Sequence, residues 1–177
     1  VTFVQSVDQL PPFTDYRMAG RTYRYMTAEP LYPFGYGLSY TEFAYRNLRL
    51  TPWKVDTADW EDLTVAVEVE NRGARAGEEV VQVYVKAVEA SVPGPRWALK
   101  GFRRIRLEAG ATAEVKFTLD RRALAIFDQE GKCWLGPGKF IIYVGGQQPD
   151  ARSRELTGKE VLAAELEVTG TAVRLED

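Results

Sequence analysis

The chain has 177 residues, 45% of them hydrophobic and 27% charged, a length that buries one sizeable core and fits a single domain with flanking segments. Lysine and arginine (23) nearly balance aspartate and glutamate (25), for a formal net charge of -2, so no excess of one sign recommends nucleic acid or an anionic membrane as partner. Histidine is absent, cysteine occurs once and no apolar run is long enough to span a bilayer, which argues against a serine or cysteine triad of the usual kind, most zinc sites, an internal disulfide and a membrane helix.

The first residues, Val1 to Val7, carry neither an initiator Met nor the charged and apolar regions of a signal peptide, and are expected to be the last strand of a preceding domain. Residues 13–41 follow no period. Gly20-Arg21-Thr22-Tyr23-Arg24-Tyr25 and Pro30-Leu31-Tyr32-Pro33-Phe34-Gly35-Tyr36-Gly37-Leu38-Ser39-Tyr40-Thr41 interleave large rings with turn residues. Tyr23, Tyr25, Tyr32, Phe34, Tyr36 and Tyr40 have two readings: a stacking platform for pyranose rings, or burial between layers of a larger protein. The winding imposed by Pro30, Pro33, Gly35 and Gly37 favours burial, so 13–41 is expected to be an aromatic docking linker. Arg21 and Arg24 fit the same role, because a guanidinium group holds an interface through forked hydrogen bonds.

From residue 42 onward the pattern alternates with a period of two. Strands are expected over Phe43 to Leu50, at Leu63, Val65, Val67 and Val69, and at Val81, Val83 and Val85, with Asn71-Arg72-Gly73 reversing the chain. Ile105-Arg106-Leu107, then Ala113 to Leu119 after the break at Gly110, give two more; Phe140 to Val144 and Val161 to Val168 complete seven. Helix is nearly absent, the one candidate being a single turn at Asp120 to Ala125 with Asp120 as its cap. Short strands, Gly and Pro turns and no βαβ alternation predict an all-β, seven-stranded antiparallel immunoglobulin-like sandwich over 42–169, with a tail over 170–177.

Candidate chemistry is sparse. Catalysis by a carboxylate pair needs two acidic groups that converge on one substrate. Adjacent Glu78 and Glu79 point to opposite faces of a strand and are read as solvated charge at its start. Asp56, Asp59, Glu61 and Asp62 lack the spacing and central Gly of a hand-type calcium loop. Cys133 is expected to be a packed thiol, and Trp97 the best exposed of four tryptophans, although packing over the sandwich edge outweighs a sugar contact there. Arg103, Arg104 and Arg106 alternate with Ile105 and Leu107 as on a strand with one wet face. Gly145-Gly146-Gln147-Gln148-Pro149-Asp150 is read as a loop between strands, since it lacks the helix, Lys and Ser/Thr of a phosphate loop.

Several stretches resemble the C-terminal part of glycoside hydrolase family 3, the β-glucosidases and β-xylosidases. Ser6 to Phe13 with Asp15-Tyr16 looks like the exit from the α/β sandwich domain of those enzymes, and the aromatic stretch like the lead into their fibronectin type III-like domain. Val69-Glu70-Asn71-Arg72-Gly73 and Gly77 to Val85 look like paired second and third strands. Leu99 to Gly110 looks like the next strand and turn, and Pro137 to Gly146 like the penultimate strand.

The resemblance implies that 1–12 closes an α/β sandwich domain, that 42–169 is the fibronectin type III-like sandwich, and that the catalytic carboxylates lie in upstream domains. It implies a non-catalytic domain of a retaining, exo-acting β-glycosidase without a cofactor, acting on β-linked oligosaccharides. Its partners would be the upstream catalytic barrel and α/β sandwich of the same enzyme. The parent's compartment depends on other residues, with a periplasmic or secreted parent left open. Asp15, Tyr16 and Arg17 would approach the rim of the substrate site. An independent carbohydrate-binding module and a plain adhesion or assembly sandwich remain as alternatives.

Overall fold

In the computed structural model, which describes residues 2–88, 94–128 and 130–176, eleven strands form two main sheets and a small third one. In chain order they are β1 (Phe43–Thr51), β2 (Lys54–Asp56), β3 (Leu63–Asn71), β4 (Gly77–Ala87), β5 (Ala98–Leu107) and β6 (Thr112–Leu119). After these come β7 (Ile126–Phe127), β8 (Cys133–Leu135), β9 (Gly138–Gly145), β10 (Leu162–Thr169) and β11 (Val173–Leu175). One sheet has the order β1-β3-β6, the other β2-β10-β9-β4-β5 with β2 parallel to β10, and the third β11-β8-β7.

All seven expected strands are present. The four others are only two or three residues long, too short for alternation to reveal them. The tail expected over 170–177 contributes β11, which pairs with β8 from Val173 opposite Leu135 to Leu175 opposite Cys133.

The turn at Asn71-Arg72-Gly73 does not make a hairpin, contrary to the pairing expected for the second and third strands. β3 pairs with β1 and β6, whereas β4 pairs with β5 and β9 in the opposite sheet. The reason lies in the alternation itself. Val65, Val67 and Val69 face Val81, Val83 and Val85 across the core, all at most 5% exposed, so the chain crosses between layers to bury both rows. Phe140, Ile142, Val144, Leu166 and Val168 extend the core on one sheet, and Val115, Phe117 and Leu119 on the other.

Asn71 is the polar pin of that crossing and is fully buried. Its Oδ1 accepts from the Thr41 hydroxyl at 2.6 Å and the Gly73 amide at 3.1 Å, while Nδ2 donates to the carbonyls of Arg75 at 2.8 Å and Leu107 at 3.0 Å. Four hydrogen bonds therefore tie the entry of β1, the 71–77 turn and the end of β5 to one side chain.

The outer face of β1-β3-β6 is a charged ladder. Arg46 bonds Glu68 at 3.0 Å and Glu70 at 2.6 Å, Arg49 meets Glu114, and Lys116 lies 2.7 Å from Glu114. The outer face of the other main sheet is covered over Gln82 and Tyr84 by the N-terminal segment.

Two helices lie outside the expectation, the single turn α1 (Thr22–Tyr25) and the longer α2 (Ala151–Thr157). The single turn capped by Asp120 is there as a 3-10 turn at Arg121–Ala123, but α2 (Ala151–Thr157) also follows the Gly145 to Asp150 stretch that was read as a loop between strands. Its punctuation stands in the sequence: the Asp150 carboxylate accepts from the Ser153 amide, and Gly158, at φ +68°, closes the C-terminus with its amide on Arg154 O at 2.7 Å.

Candidate functional site

The N-terminal segment divides into a half that packs on the sandwich and a half that faces away. Thr22–Tyr25 form a single helical turn, α1, and Tyr23 is its anchor. The Tyr23 ring stacks on Phe34 at 4.2 Å between centroids, meets Tyr84 of β4 edge-on at 6.2 Å, and its hydroxyl accepts from the Leu99 amide at 3.0 Å. Arg96 adds two ties, its amide to Arg24 O at 2.8 Å and its guanidinium to Met26 O at 2.6 Å. Trp97, expected to be the best exposed tryptophan, is buried at 7% exposure with the Arg96 guanidinium 4.6 Å from its ring. The two ties from Arg96 fasten that stretch to the N-terminal segment. Trp53, at 63%, is the exposed one.

Tyr32 stacks on Tyr36 at 5.2 Å and takes Phe3 edge-on; of the strand expected over Val1 to Val7 the described residues show one antiparallel bridge, Phe3 to Tyr32, and a 3-10 turn at Val7–Gln9 begins where it would end. Arg21 is engaged within its own segment, donating to the carbonyls of Arg17, Pro12 and Asp15. Arg24 lies 5.8 Å from the Tyr23 ring and stays exposed. Asp15 and Arg17 pair with each other, Nη2 to Oδ2 at 2.8 Å; this hydrogen bond is the main reason that the Asp15 carboxyl is held down to about 2. A carboxylate that stays ionised over the whole working range has no proton to donate as a general acid.

The most exposed large apolar side chains of the segment are Phe13 at 88%, Tyr16 at 87%, Leu38 at 89% and Tyr40 at 97%. The candidate docking residues therefore separate. Tyr23 and Phe34 are satisfied by the sandwich, Tyr32 and Tyr36 by each other, Tyr25 is half-buried, and Tyr40 is left free.

Between the linker and the sandwich lies a cleft of about 430 Å³, with Gly35 to Ser39 on one wall, Phe43 and Tyr45 of β1 on another, and Glu78 to Gln82, Gly146, Gln147, Thr157 and Lys159 closing it. Gly35, at φ +79°, lets the linker pass so close to buried Gln82 that a Cβ there would lie 2.9 Å from Gln82 Oε1. Gln82 in turn donates to Gly146 O at 3.0 Å and accepts from the Tyr84 hydroxyl at 2.6 Å. Glu78 turns outward to Arg104, but Glu79 turns in and is not the solvated charge expected of it. Burial pushes its carboxyl up from the ordinary value, against the opposing effects of the Val80 amide and Lys159. The enclosed Tyr45 hydroxyl beside it has no hydrogen-bond partner of good geometry among the described residues, and burial first, then Glu79, push it up. Periodicity places residue 79 on the inward row of β4; what hides its role is that the facing residue, Tyr45, belongs to the other sheet.

No group of three or more acidic, histidine or cysteine side chains suited to a metal occurs among the described residues, and Cys133 is buried. No helix among them is long and apolar enough to cross a membrane.

A two-sheet sandwich with this crossing, entered by an aromatic linker, defines a fibronectin type III-like domain, and the family model so described matches residues 79–148. The chain is 42% identical over 137 residues to thermostable β-glucosidase B of Acetivibrio thermocellus, with 75% of the chain and 18% of that protein covered. It is 38% identical over 159 residues to a xylan 1,4-β-xylosidase of Xylanibacter ruminicola, covering 89% of the chain and 18% of that protein. Among solved structures, a β-glucosidase from Erythrobacter marinus superposes with a TM-score of 0.75 at 30% identity, over 95% of the chain and 21% of that protein. The chain thus spans about a fifth of the length of these relatives, and it belongs to the fibronectin type III-like domains of family 3 glycoside hydrolases.

Proposed function

We propose that the chain is the non-catalytic C-terminal domain of a retaining, exo-acting β-glycosidase that removes terminal β-glucosyl or β-xylosyl residues, and that it serves stability and docking onto upstream catalytic barrel and α/β sandwich domains. One observation carries this reading: the outward apolar rings and chains of Phe13, Tyr16, Leu38 and Tyr40 gather on the linker, while the opposite face of the sandwich is a ladder of ion pairs. Exposed apolar surface of that kind marks a partner, and paired charge marks a face left in water. The same reading assigns the ionised Asp15–Arg17 pair and exposed Tyr16 to the rim of the substrate site, to orient a sugar without taking part in proton transfer.

The test is association of the chain with the upstream domains of its parent, measured by sedimentation. Leu38→Ser together with Tyr40→Ser is expected to weaken association about tenfold or more, whereas Glu114→Gln on the charged ladder leaves it unchanged. A carbohydrate-binding module would show the reverse: saturable glycan binding by the chain alone and no association with the upstream domains.

A further inference from the structure

The cleft beside Glu79 carries more carboxylates than cations, and Glu79 is the half-buried one of them without an ion pair among the described residues. Four carboxylates line it, from Glu42, Glu78, Glu79 and Glu160, against one ammonium, from Lys159. Arg104 neutralises Glu78, and Arg154 reaches Glu160 at 3.3 Å. Glu79 makes no ion pair among the described residues; its carboxylate accepts from the Val80 amide at 3.0 Å and has only the Tyr45 hydroxyl beside it as a further donor. Glu79 is half-buried, and neutral donors such as an amide and a hydroxyl leave its charge uncompensated, whereas a carboxylate withdrawn from water is ordinarily paired. The walls are already formed around that gap: Gln82 and Gln147 are each 6% exposed with their amides committed, and an added Cβ at Gly146 would stand 2.7 Å from Glu79 Oε1.

We infer that this cleft receives a guanidinium or ammonium side chain from the upstream part of the parent polypeptide, which pairs with Glu79 and fixes the angle at which the sandwich is held. The inference rests on the docking reading and gives it a partner chemistry. The wall that the incoming side chain crosses is the linker stretch Gly35 to Ser39, next to exposed Leu38 and Tyr40, so the cleft is continuous with the apolar docking patch. The same enclosure carries a cost when no cation is bound. A carboxyl whose folded value is raised contributes stability while protonated and loses it as pH rises through that value. Tyr45 from β1, Lys159 after α2, and Glu42, Glu78 and Glu160 are the titratable groups that line the cleft with Glu79.

Glu79→Gln separates the two states by opposite signs. In the 177-residue chain alone the variant is expected to melt higher than wild type at pH 7, with the gain vanishing below about pH 4, the ordinary range of a free glutamate. In association with the upstream domains it is expected to bind about tenfold more weakly, because the incoming cation is left unpaired. N-acetyl-arginine amide added to wild type is expected to shift the amide resonances of Gly35, Gly146 and Gln147 saturably, and its citrulline counterpart is not; this arm holds even if the variant fails to fold. Equal shifts by both compounds, or a variant that associates as well as wild type, would overturn the cleft's role while leaving docking intact. Absence of association by wild type would overturn the docking reading and the proposed source of the cation together.

Discussion

Replacing Asn71 with alanine is expected to destabilise the chain by about 3 to 4 kcal/mol and to lower the melting temperature by roughly 10 °C. The side chain is fully buried and makes four hydrogen bonds, each worth about 1 kcal/mol net. Truncation leaves the Thr41 hydroxyl, the Gly73 amide and the Arg75 and Leu107 carbonyls without these bonds, at the point where the chain passes from one sheet to the other. Asn71→Asp is expected to be worse still, since it buries a charge and turns both donors into acceptors that face carbonyls. Thr41→Val removes one bond of the four and is expected to cost about 1 kcal/mol. Denaturant unfolding of the three variants checks the order. If Asn71→Ala loses no more than Thr41→Val, the crossing is held by the valine rows alone.

Replacing Tyr23 with alanine is expected to release the N-terminal segment from the sandwich at a cost of about 2 to 3 kcal/mol. Three contacts go together: the stack on Phe34, the edge contact to Tyr84, and the hydroxyl that caps the Leu99 amide at 3.0 Å. Aromatic pairs contribute about 1 kcal/mol beyond area, and an orphaned amide costs about as much again. Tyr23→Phe keeps the rings and loses the cap, so about 1 kcal/mol is expected from it. Limited proteolysis reads the difference, with new cleavage over 10–35 in the alanine variant and a wild-type pattern in the phenylalanine variant. Equal resistance in all three would mean that the ties from Arg96 to Arg24 and Met26 suffice to hold the linker.

These two residues also mark where the sequence was readable. Strand alternation identified the rows at 63–69, 81–85, 113–119 and 140–144 because each buries one face, and a period of two survives in any sandwich. Alternation is silent about which strands are neighbours. Asn71-Arg72-Gly73 has hairpin chemistry, yet the demand to bury both valine rows sends the chain across the core, and the four bonds of Asn71 serve that crossing. The capping residues Asp150 and Gly158 stand in the sequence, but the intervening Ala151–Thr157 presents little apolar stripe, so no helical period marks α2. The aromatic linker stood out from the sandwich by its composition alone. Its division into rings spent on the sandwich and rings left outward was not, because Tyr23 and Tyr40 differ in nothing that sequence records. Glu79 illustrates the same limit: its partner in burial, Tyr45, sits thirty-four positions earlier on the other sheet.

The docking account is tested most directly by hydrolysis of aryl β-glucoside and aryl β-xyloside, measured for the chain alone, for the upstream domains of its parent alone, and for the two mixed. No turnover by the chain, and activity that appears or rises on mixing and falls again with Leu38→Ser and Tyr40→Ser, is the predicted result. Turnover by the chain alone would contradict it, as would upstream domains whose activity and stability are indifferent to the chain.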